Sequence, residues 1–74
     1  GMSLKSTITL SSFTDENAVV SLQREILNLN GFKVVPRDLT ISLSQKTDCN
    51  IVMMIAAIFF LTCDSENNKD HIII

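Results

Sequence analysis

The sequence predicts one small α+β domain with the element order strand, helix, strand, strand, helix, strand. Segments in which apolar and polar residues alternate indicate half-buried strands. Ile51–Leu61, a run of eleven apolar residues, indicates a buried helix. A chain of 74 residues is too short for two hydrophobic cores, so a single domain over residues 1–74 is expected. Gly1 precedes Met2 and is interpreted as a remnant of an expression tag.

The N-terminal part of the chain predicts a strand followed by an amphipathic helix. In Leu4–Ser12, apolar residues alternate with lysine, threonine and serine, which is typical of a half-buried strand. Thr14 is suited to cap a helix, because two acidic residues follow it and place negative charge in the first turn. Apolar residues then recur at three- and four-residue steps up to Leu29. Gly31 supplies the left-handed conformation that commonly ends a helix.

Two further strands are predicted in Phe32–Val35 and Leu39–Leu43. Their apolar positions change from even to odd numbers, which one continuous strand does not do without a bulge. Pro36-Arg37-Asp38 lies at this change, and proline is suited to the second position of a tight turn. The pattern predicts a hairpin, with one bent strand as the alternative.

The apolar run Ile51–Leu61 is predicted to form the second helix, capped by Thr47 or Asp48. It is longer than an ordinary strand, and its methionine, alanine and leucine residues favour a helix, whereas its isoleucine, valine and phenylalanine residues favour a strand. If residues 51–63 form a strand, the alternative fold is one helix packed on a three- or four-stranded antiparallel meander. As a helix, the uncharged stretch covers roughly 22 Å, short of the roughly 30 Å of membrane hydrocarbon, so no membrane span is expected.

The last part of the chain predicts a polar loop, Asp64–Asp70, and a short strand, His71–Ile74. The complete order of elements fits a four-stranded antiparallel sheet with both helices on one face, which is the ferredoxin-like sandwich. The match is to a fold and not to a family. A fold that many unrelated proteins share implies little about activity.

Composition and charge argue against several classes of function. The six basic residues are scattered and the net charge is −2, whereas a nucleic-acid interface needs clustered cations, so no nucleic-acid partner is expected. Gly31 is the only glycine after Gly1, which leaves no glycine-rich phosphate loop, and no cofactor is expected. The single histidine, His71, is too few for the ordinary zinc sets, so no metal site is expected either.

The two cysteines are predicted to be free thiols. Cys49 and Cys63 are separated by about 21 Å along a helix axis and by more along a strand, whereas a disulfide needs Cα atoms about 4.4 to 6.8 Å apart. With no signal-peptide pattern, a cytoplasmic location is expected. An enzymatic role for Cys49 or His71 is not expected, because the sequence marks no partner that would activate either side chain.

Hydroxyl side chains line the polar sides of two predicted strands. RNA-binding domains of the predicted architecture carry aromatic side chains on the open sheet face, where they stack on bases. Here the corresponding positions are small, so a solvated face or one packed against a partner is expected. The two rows are Thr7, Thr9 and Ser11, and Thr40, Ser42 and Ser44.

The main functional expectation comes from the apolar run. A helix that is apolar all round must be covered on more than one side, and so short a chain has few elements with which to cover it. The sequence therefore predicts a small non-enzymatic interaction protein that forms a homodimer or docks into a larger assembly. The contact residues predicted within segment 51–61 are Met53, Met54, Ala57, Phe60 and Leu61.

The alternative function is a ligand-binding regulatory domain. Its small-molecule site would lie at a dimer interface or at the loop Pro36-Arg37-Asp38. The sequence leaves the identity of the ligand open.

Overall fold

The computed structural model describes residues 7–63 and 70–74, which form one helix and two sheets. The α+β class is therefore confirmed. The elements are β1 Ile8–Phe13, β2 Asn17–Leu22, β3 Ile26–Leu27, β4 Lys33–Val34, β5 Arg37–Ser42, α1 Cys49–Thr62 and β6 His71–Ile73. Four strands make the main sheet in the order β1-β2-β5-β6, and β3 and β4 form a separate two-stranded hairpin.

The main sheet is mixed rather than antiparallel throughout. β2 pairs antiparallel with both β1 and β5, whereas β6 pairs parallel with β5. The chain passes from β5 to β6 through α1, because two parallel neighbours need a crossover connection. The ferredoxin-like sandwich is not confirmed, since the described residues contain one helix and the sheet has a parallel edge. The meander alternative required a strand in residues 51–63, where the structure has a helix.

The helix predicted between Thr14 and Leu29 is wrong, because this segment forms a turn followed by β2 and β3. The Thr14 hydroxyl oxygen accepts hydrogen bonds from the backbone N–H groups of Glu16 at 3.2 Å and Asn17 at 3.0 Å. A helix N-cap offers its first amides the same acceptor, so the local chemistry of a cap and of this turn is alike. The side-chain signal at Thr14 therefore marks a reversal of the chain without deciding whether a helix or a strand comes next.

The segment that follows the turn at Thr14 is strand β2, which pairs with a strand on each side. Ala18 and Val20 are fully buried and Leu22 nearly so, which is a two-residue repeat on one face of β2. β2 is hydrogen-bonded on both edges, to β1 and to β5, and its adjacent valines suit a strand. These long-range contacts override the helical spacing of the apolar residues.

The two strands predicted in residues 32–43 occur close to the predicted positions but pair differently. β4 lies within Phe32–Val35, whereas β5 overlaps Leu39–Leu43 but begins at Arg37, inside the predicted turn Pro36-Arg37-Asp38. β4 pairs with β3 and β5 pairs with β2 and β6, so the predicted hairpin is wrong, and so is the alternative of one bent strand, because the two belong to different sheets. Gly31 has the predicted left-handed conformation, with φ of 75°, in the β3–β4 turn instead of at a helix end. Residues 4–6 of the first predicted strand lie outside the described residues, and β1 covers the rest of it from Ile8 onward. An extra residue at Ser11 interrupts the pairing of β1 with β2.

The second predicted helix is confirmed, and one of its sides packs into the core. Asp48 caps α1, with its carboxylate accepting a hydrogen bond from the Asn50 N–H at 2.7 Å. Val52, Ala56 and Phe60 recur at four-residue steps and are buried in the core cluster, which also holds the inward side chains of β2 and β5. The predicted C-terminal strand is confirmed as β6, and residues 64–69 of the predicted polar loop lie outside the described residues.

A buried asparagine ties the end of α1 to the β3–β4 turn. The Asn28 side-chain amide donates hydrogen bonds to the Phe60 carbonyl at 3.3 Å and to the Cys63 carbonyl. Its side-chain oxygen accepts hydrogen bonds from the backbone N–H groups of Asn30 and Phe32, both at 3.0 Å. The same side chain therefore organises the turn and holds the helix.

The neighbours of Asn28 complete this attachment. The Leu29 backbone N–H donates to the Leu61 carbonyl at 2.9 Å, and the Asn30 side-chain amide donates to the Thr62 carbonyl at 2.6 Å. The last carbonyls of a helix have no partner within the helix, and here those of residues 60–63 each receive a donor from the turn. We call Asn28–Gly31 the docking loop.

We predict that Asn28→Ala lowers the free energy of unfolding by about 2–4 kcal/mol, because it leaves buried carbonyl and amide groups without partners. Urea denaturation followed by circular dichroism measures the change. The matched control is Asn50→Ala, which removes an exposed amide from the first turn of α1 and is expected to change stability by about 0.5 kcal/mol or less. Equal midpoints for the two variants would contradict the structural role of Asn28.

Candidate functional site

The helix α1 carries apolar side chains on the side that faces away from the sheet. Ile51 is 48% exposed, Met54 60% and Ile58 55%, whereas the inward Val52 and Ala56 are fully buried. No charged residue occurs between Asp48 and Asp64 in the sequence, so this side of the helix has no charge. The outward side of a helix in a water-soluble domain is normally polar. This surface is therefore the strongest candidate for an interaction site.

The spacing of the outward side chains matches that of paired helices. Ile51, Met54, Ile58 and Leu61 follow one another at intervals of three, four and three residues. The same intervals separate the a and d positions of a heptad, whose side chains form a single seam along a helix. We call these four residues the outer face of α1.

The structure places the five predicted contact residues on different sides of α1. Met54 and Leu61 lie on the outer face, where Met54 is exposed and Leu61 half-buried, and Met53 and Ala57 are half-buried beside it. Phe60 is 1% exposed and belongs to the core, which removes it from the candidate surface.

Ile51 and Ile58 are outer-face residues that the sequence analysis did not select. Both were detectable in the sequence, because Ile51 lies three residues before Met54 and Ile58 four residues after it. Because the run is apolar on every side of the helix, the sequence does not show which side faces the sheet.

Two exposed leucines lie beside the end of the outer face. Leu27 is 71% exposed and Leu29 78%, and the backbone of Leu29 is hydrogen-bonded to that of Leu61. Asn28 lies between the two leucines with its side chain directed inward. The exposed Leu29 is therefore fixed, through its backbone, beside the last turn of α1.

Most hydroxyl groups of the two predicted rows are hydrogen-bonded or buried within the chain. The Ser21 hydroxyl donates to Asp38 Oδ1 at 2.7 Å and lies next to the Ser11 hydroxyl. The Thr9 hydroxyl accepts a hydrogen bond from the Gln23 side-chain amide at 2.7 Å. Among the other predicted members, Thr7 is buried, and the Ser44 hydroxyl donates to the Ile74 carbonyl. These internal bonds leave fewer groups on this face to recognise a ligand.

His71 is exposed and contacts the hydroxyl of Ser42. The His71 Nε2 atom lies 2.7 Å from Ser42 Oγ, a distance at which a base can activate a nucleophile. A catalytic pair also needs a group that orients the imidazole, and no carboxylate in residues 7–63 and 70–74 is hydrogen-bonded to the other ring nitrogen. Within the same residues, no three histidine, cysteine or acidic side chains converge as metal ligands would.

A cleft of about 240 Å³ lies beside the predicted loop Pro36-Arg37-Asp38, and Arg37 is part of its lining. Arg37 Nε lies 3.0 Å from Asp70 Oδ1. Its second cation, Lys33, lies 3.8 Å from Glu25 in an exposed pair. Both cations therefore have an acidic neighbour, and the volume is below the roughly 300 to 1,000 Å³ of ordinary ligand pockets.

Comparison with known proteins assigns no relative to this chain: no family model, curated protein or solved structure matches it. In the part of the chain that the structure describes, no helix has the length and apolar content needed to cross a membrane. The role of the outer face is therefore inferred from the exposure and spacing of its side chains.

We predict that the two thiols of the native protein react at different rates. Cys49 is exposed at the start of α1, whereas Cys63 is buried and its sulfur lies 3.6 Å from the Asn28 side-chain nitrogen. Alkylation with iodoacetamide, followed by peptide mass spectrometry, should modify Cys49 at least about tenfold faster than Cys63, because burial blocks the reagent. In urea the two rates should converge. Equal rates in the native protein would contradict the position of the docking loop over Cys63.

Proposed function

We propose that this protein is a small self-associating interaction module in which the outer face of α1 packs against the same face of a second copy. The observation that supports the proposal is the charge-free seam on that face, in which Ile51, Met54 and Ile58 are about half exposed or more and Leu61 is partly exposed. Burying these side chains removes apolar surface from water, which is the main favourable term in protein association.

The spacing of the outer face favours a second copy over an unrelated partner. Ile51 and Leu61 are each five positions from Ala56, and Met54 and Ile58 are each two positions from it. In an antiparallel pair with its two-fold axis at the level of residue 56, Ile51 meets Leu61 of the second copy and Met54 meets Ile58. Every member of the seam then has an apolar partner in an isologous interface.

The available area is compatible with a reversible dimer. A specific interface buries about 800 Å² on each partner, which is about one-sixth of the 4833 Å² that the chain exposes. If about 400 Å² of that area is apolar, its burial contributes on the order of 10 kcal/mol per chain. Losses of rigid-body and side-chain entropy of about 4–15 kcal/mol offset much of this gain, so association at micromolar concentration is expected.

The alternative, a ligand-binding regulatory domain, is supported by the cleft beside Arg37. We favour self-association because the cations of the cleft already have acidic neighbours, whereas the outer face has no described covering. A non-enzymatic role is part of the proposal, since an apolar seam can bind but supplies no nucleophile, acid or base.

We predict that Ile58→Glu weakens self-association at least about a hundredfold, because a two-fold pair would bury two unpaired carboxylates near its centre. Size-exclusion chromatography with light scattering over a range of micromolar concentrations measures the mass. The matched control is Ile73→Glu, which places the same charge at a 76% exposed isoleucine of β6, away from α1. The control should associate as the unsubstituted chain does.

Two outcomes would contradict the proposal. One is a monomeric unsubstituted chain throughout the concentration range. The other is a dimer that Ile73→Glu disrupts and Ile58→Glu leaves intact, which would assign the interface to the edge of the sheet.

A further inference from the structure

The docking loop contains the sequence Asn30-Gly31 at the point where it holds α1. The Asn30 side-chain nitrogen donates to the Thr62 carbonyl at 2.6 Å, and Asn30 is exposed to solvent. Among the asparagines of the chain, Asn30 alone is followed by glycine. No atom beyond the adjacent residues lies within 4 Å of the position that a Cβ of residue 31 would occupy, so the backbone of Gly31 is uncrowded on that side.

An asparagine followed by glycine is chemically reactive. The backbone nitrogen of Gly31 can attack the side-chain carbonyl carbon of Asn30, because glycine offers the least steric hindrance to ring closure. A new N–C bond forms as the Gly31 nitrogen loses its proton, and the C–Nδ2 bond breaks with release of ammonia. Water then opens the succinimide ring to give aspartate or isoaspartate. The net reaction consumes one water and releases one ammonia, and it needs no oxidant or cofactor.

We propose that Asn30 is a site of spontaneous deamidation, and that this modification weakens the attachment of the docking loop to α1. The product carries a carboxylate, which has no N–H to donate to the Thr62 carbonyl. Its negative charge also faces the C-terminal end of α1, where the helix dipole is negative. The modification therefore replaces an attraction by a repulsion at this one contact, and water does not restore the amide, so the weakening is permanent.

The native fold slows the reaction that would disrupt it. The Gly31 N–H donates to the Asn28 carbonyl at 3.0 Å, and the Asn30 amide is held by Thr62. Both hydrogen bonds must break before the ring can close. The reaction consequently proceeds from molecules in which the docking loop has opened locally, so its rate follows the population of the open loop.

Cys63 provides a direct readout of the loop. It is 7% exposed, and its sulfur and carbonyl both contact the Asn28 side chain. Release of the loop should expose this thiol. In a chain with Cys49→Ser, Cys63 is the only thiol. The rate at which it reacts with Ellman's reagent then measures the opening of the docking loop.

The first experiment follows the chemistry at Asn30. The chain is incubated in warm, mildly alkaline buffer, with and without urea, and peptide mapping by mass spectrometry measures the mass gain of about one dalton and the isoaspartate content. Asn30 is expected to convert faster than Asn50, which is also exposed, and faster in urea than in the native protein. Conversion of Asn30 no faster than that of Asn50 in urea would overturn the proposal.

The second experiment measures the consequence in the Cys49→Ser background. Asn30→Asp reproduces one product, and Asn30→Ala removes the donor without adding charge. Cys63 should react about tenfold faster in Asn30→Asp than in the parent, and Asn30→Ala should react at an intermediate rate. The difference in rate between the two variants should be smaller at high salt, because salt screens the added charge. Equal rates in Asn30→Asp and the parent would overturn the proposal. If circular dichroism shows Asn30→Asp to be unfolded, the rate at which Cys63 reacts in Asn30→Ala is compared with the rate in the parent. Equal rates in these two proteins would likewise overturn the proposal. These tests do not depend on whether α1 pairs with a second copy.

Discussion

The attachment of Asn28 to the end of α1 fixes the side of the helix that faces the sheet. The Asn28 amide donates to carbonyls at the end of the helix, while its oxygen accepts from the turn that carries it. Asp48 caps the other end. With both ends held, Val52, Ala56 and Phe60 form the buried stripe, and the outer face is directed away from the sheet. A buried amide satisfied on both its donor and acceptor sides favours one arrangement, because any rotation of the helix would leave polar groups unpaired.

A single helix on one sheet leaves the second side of that helix without a covering element in the described residues. The inward stripe has a four-residue repeat, whereas the outer face alternates intervals of three and four. The same fourteen-residue helix thus carries the core stripe on one side and the outer face, the proposed interaction surface, on the other. Substitutions at the exposed Ile51, Met54 and Ile58 therefore change the proposed interface without removing a buried core side chain.

The sequence predicted the apolar run correctly as a helix because its length and composition are local properties. The segment after Thr14 was predicted wrongly for the opposite reason: its strand character depends on hydrogen bonding to β1 and β5 at the same time. Thr14 and Gly31 have the local roles that their types suggest, an acceptor for free amides and a left-handed residue, but both roles occur in turns between strands. Residues of these types mark where the chain reverses without specifying the elements on either side.

The candidate surface was predictable as a segment but not as a face. A helix that is apolar all round has no polar stripe to show which side is solvent-exposed, so Phe60 and Met54 were indistinguishable in the sequence. In the structure, the hydrogen bonds of Asn28 to the end of α1 determine which side of the helix faces the sheet. This role was not predictable, because the partners of Asn28 at the end of the helix lie more than thirty positions away in the sequence.

The distance between spin labels on Cys49 of two paired chains tests the antiparallel packing of the outer faces most directly. With the two-fold axis at residue 56, the labelled positions are separated by about 21 Å along the helices and by about 8–10 Å across them. Double electron–electron resonance should therefore give one distance of roughly 20 to 30 Å, allowing for the label arms. A sample without dipolar modulation, or one in which strong coupling places the labels near the roughly 10 Å expected of parallel helices, would contradict this account.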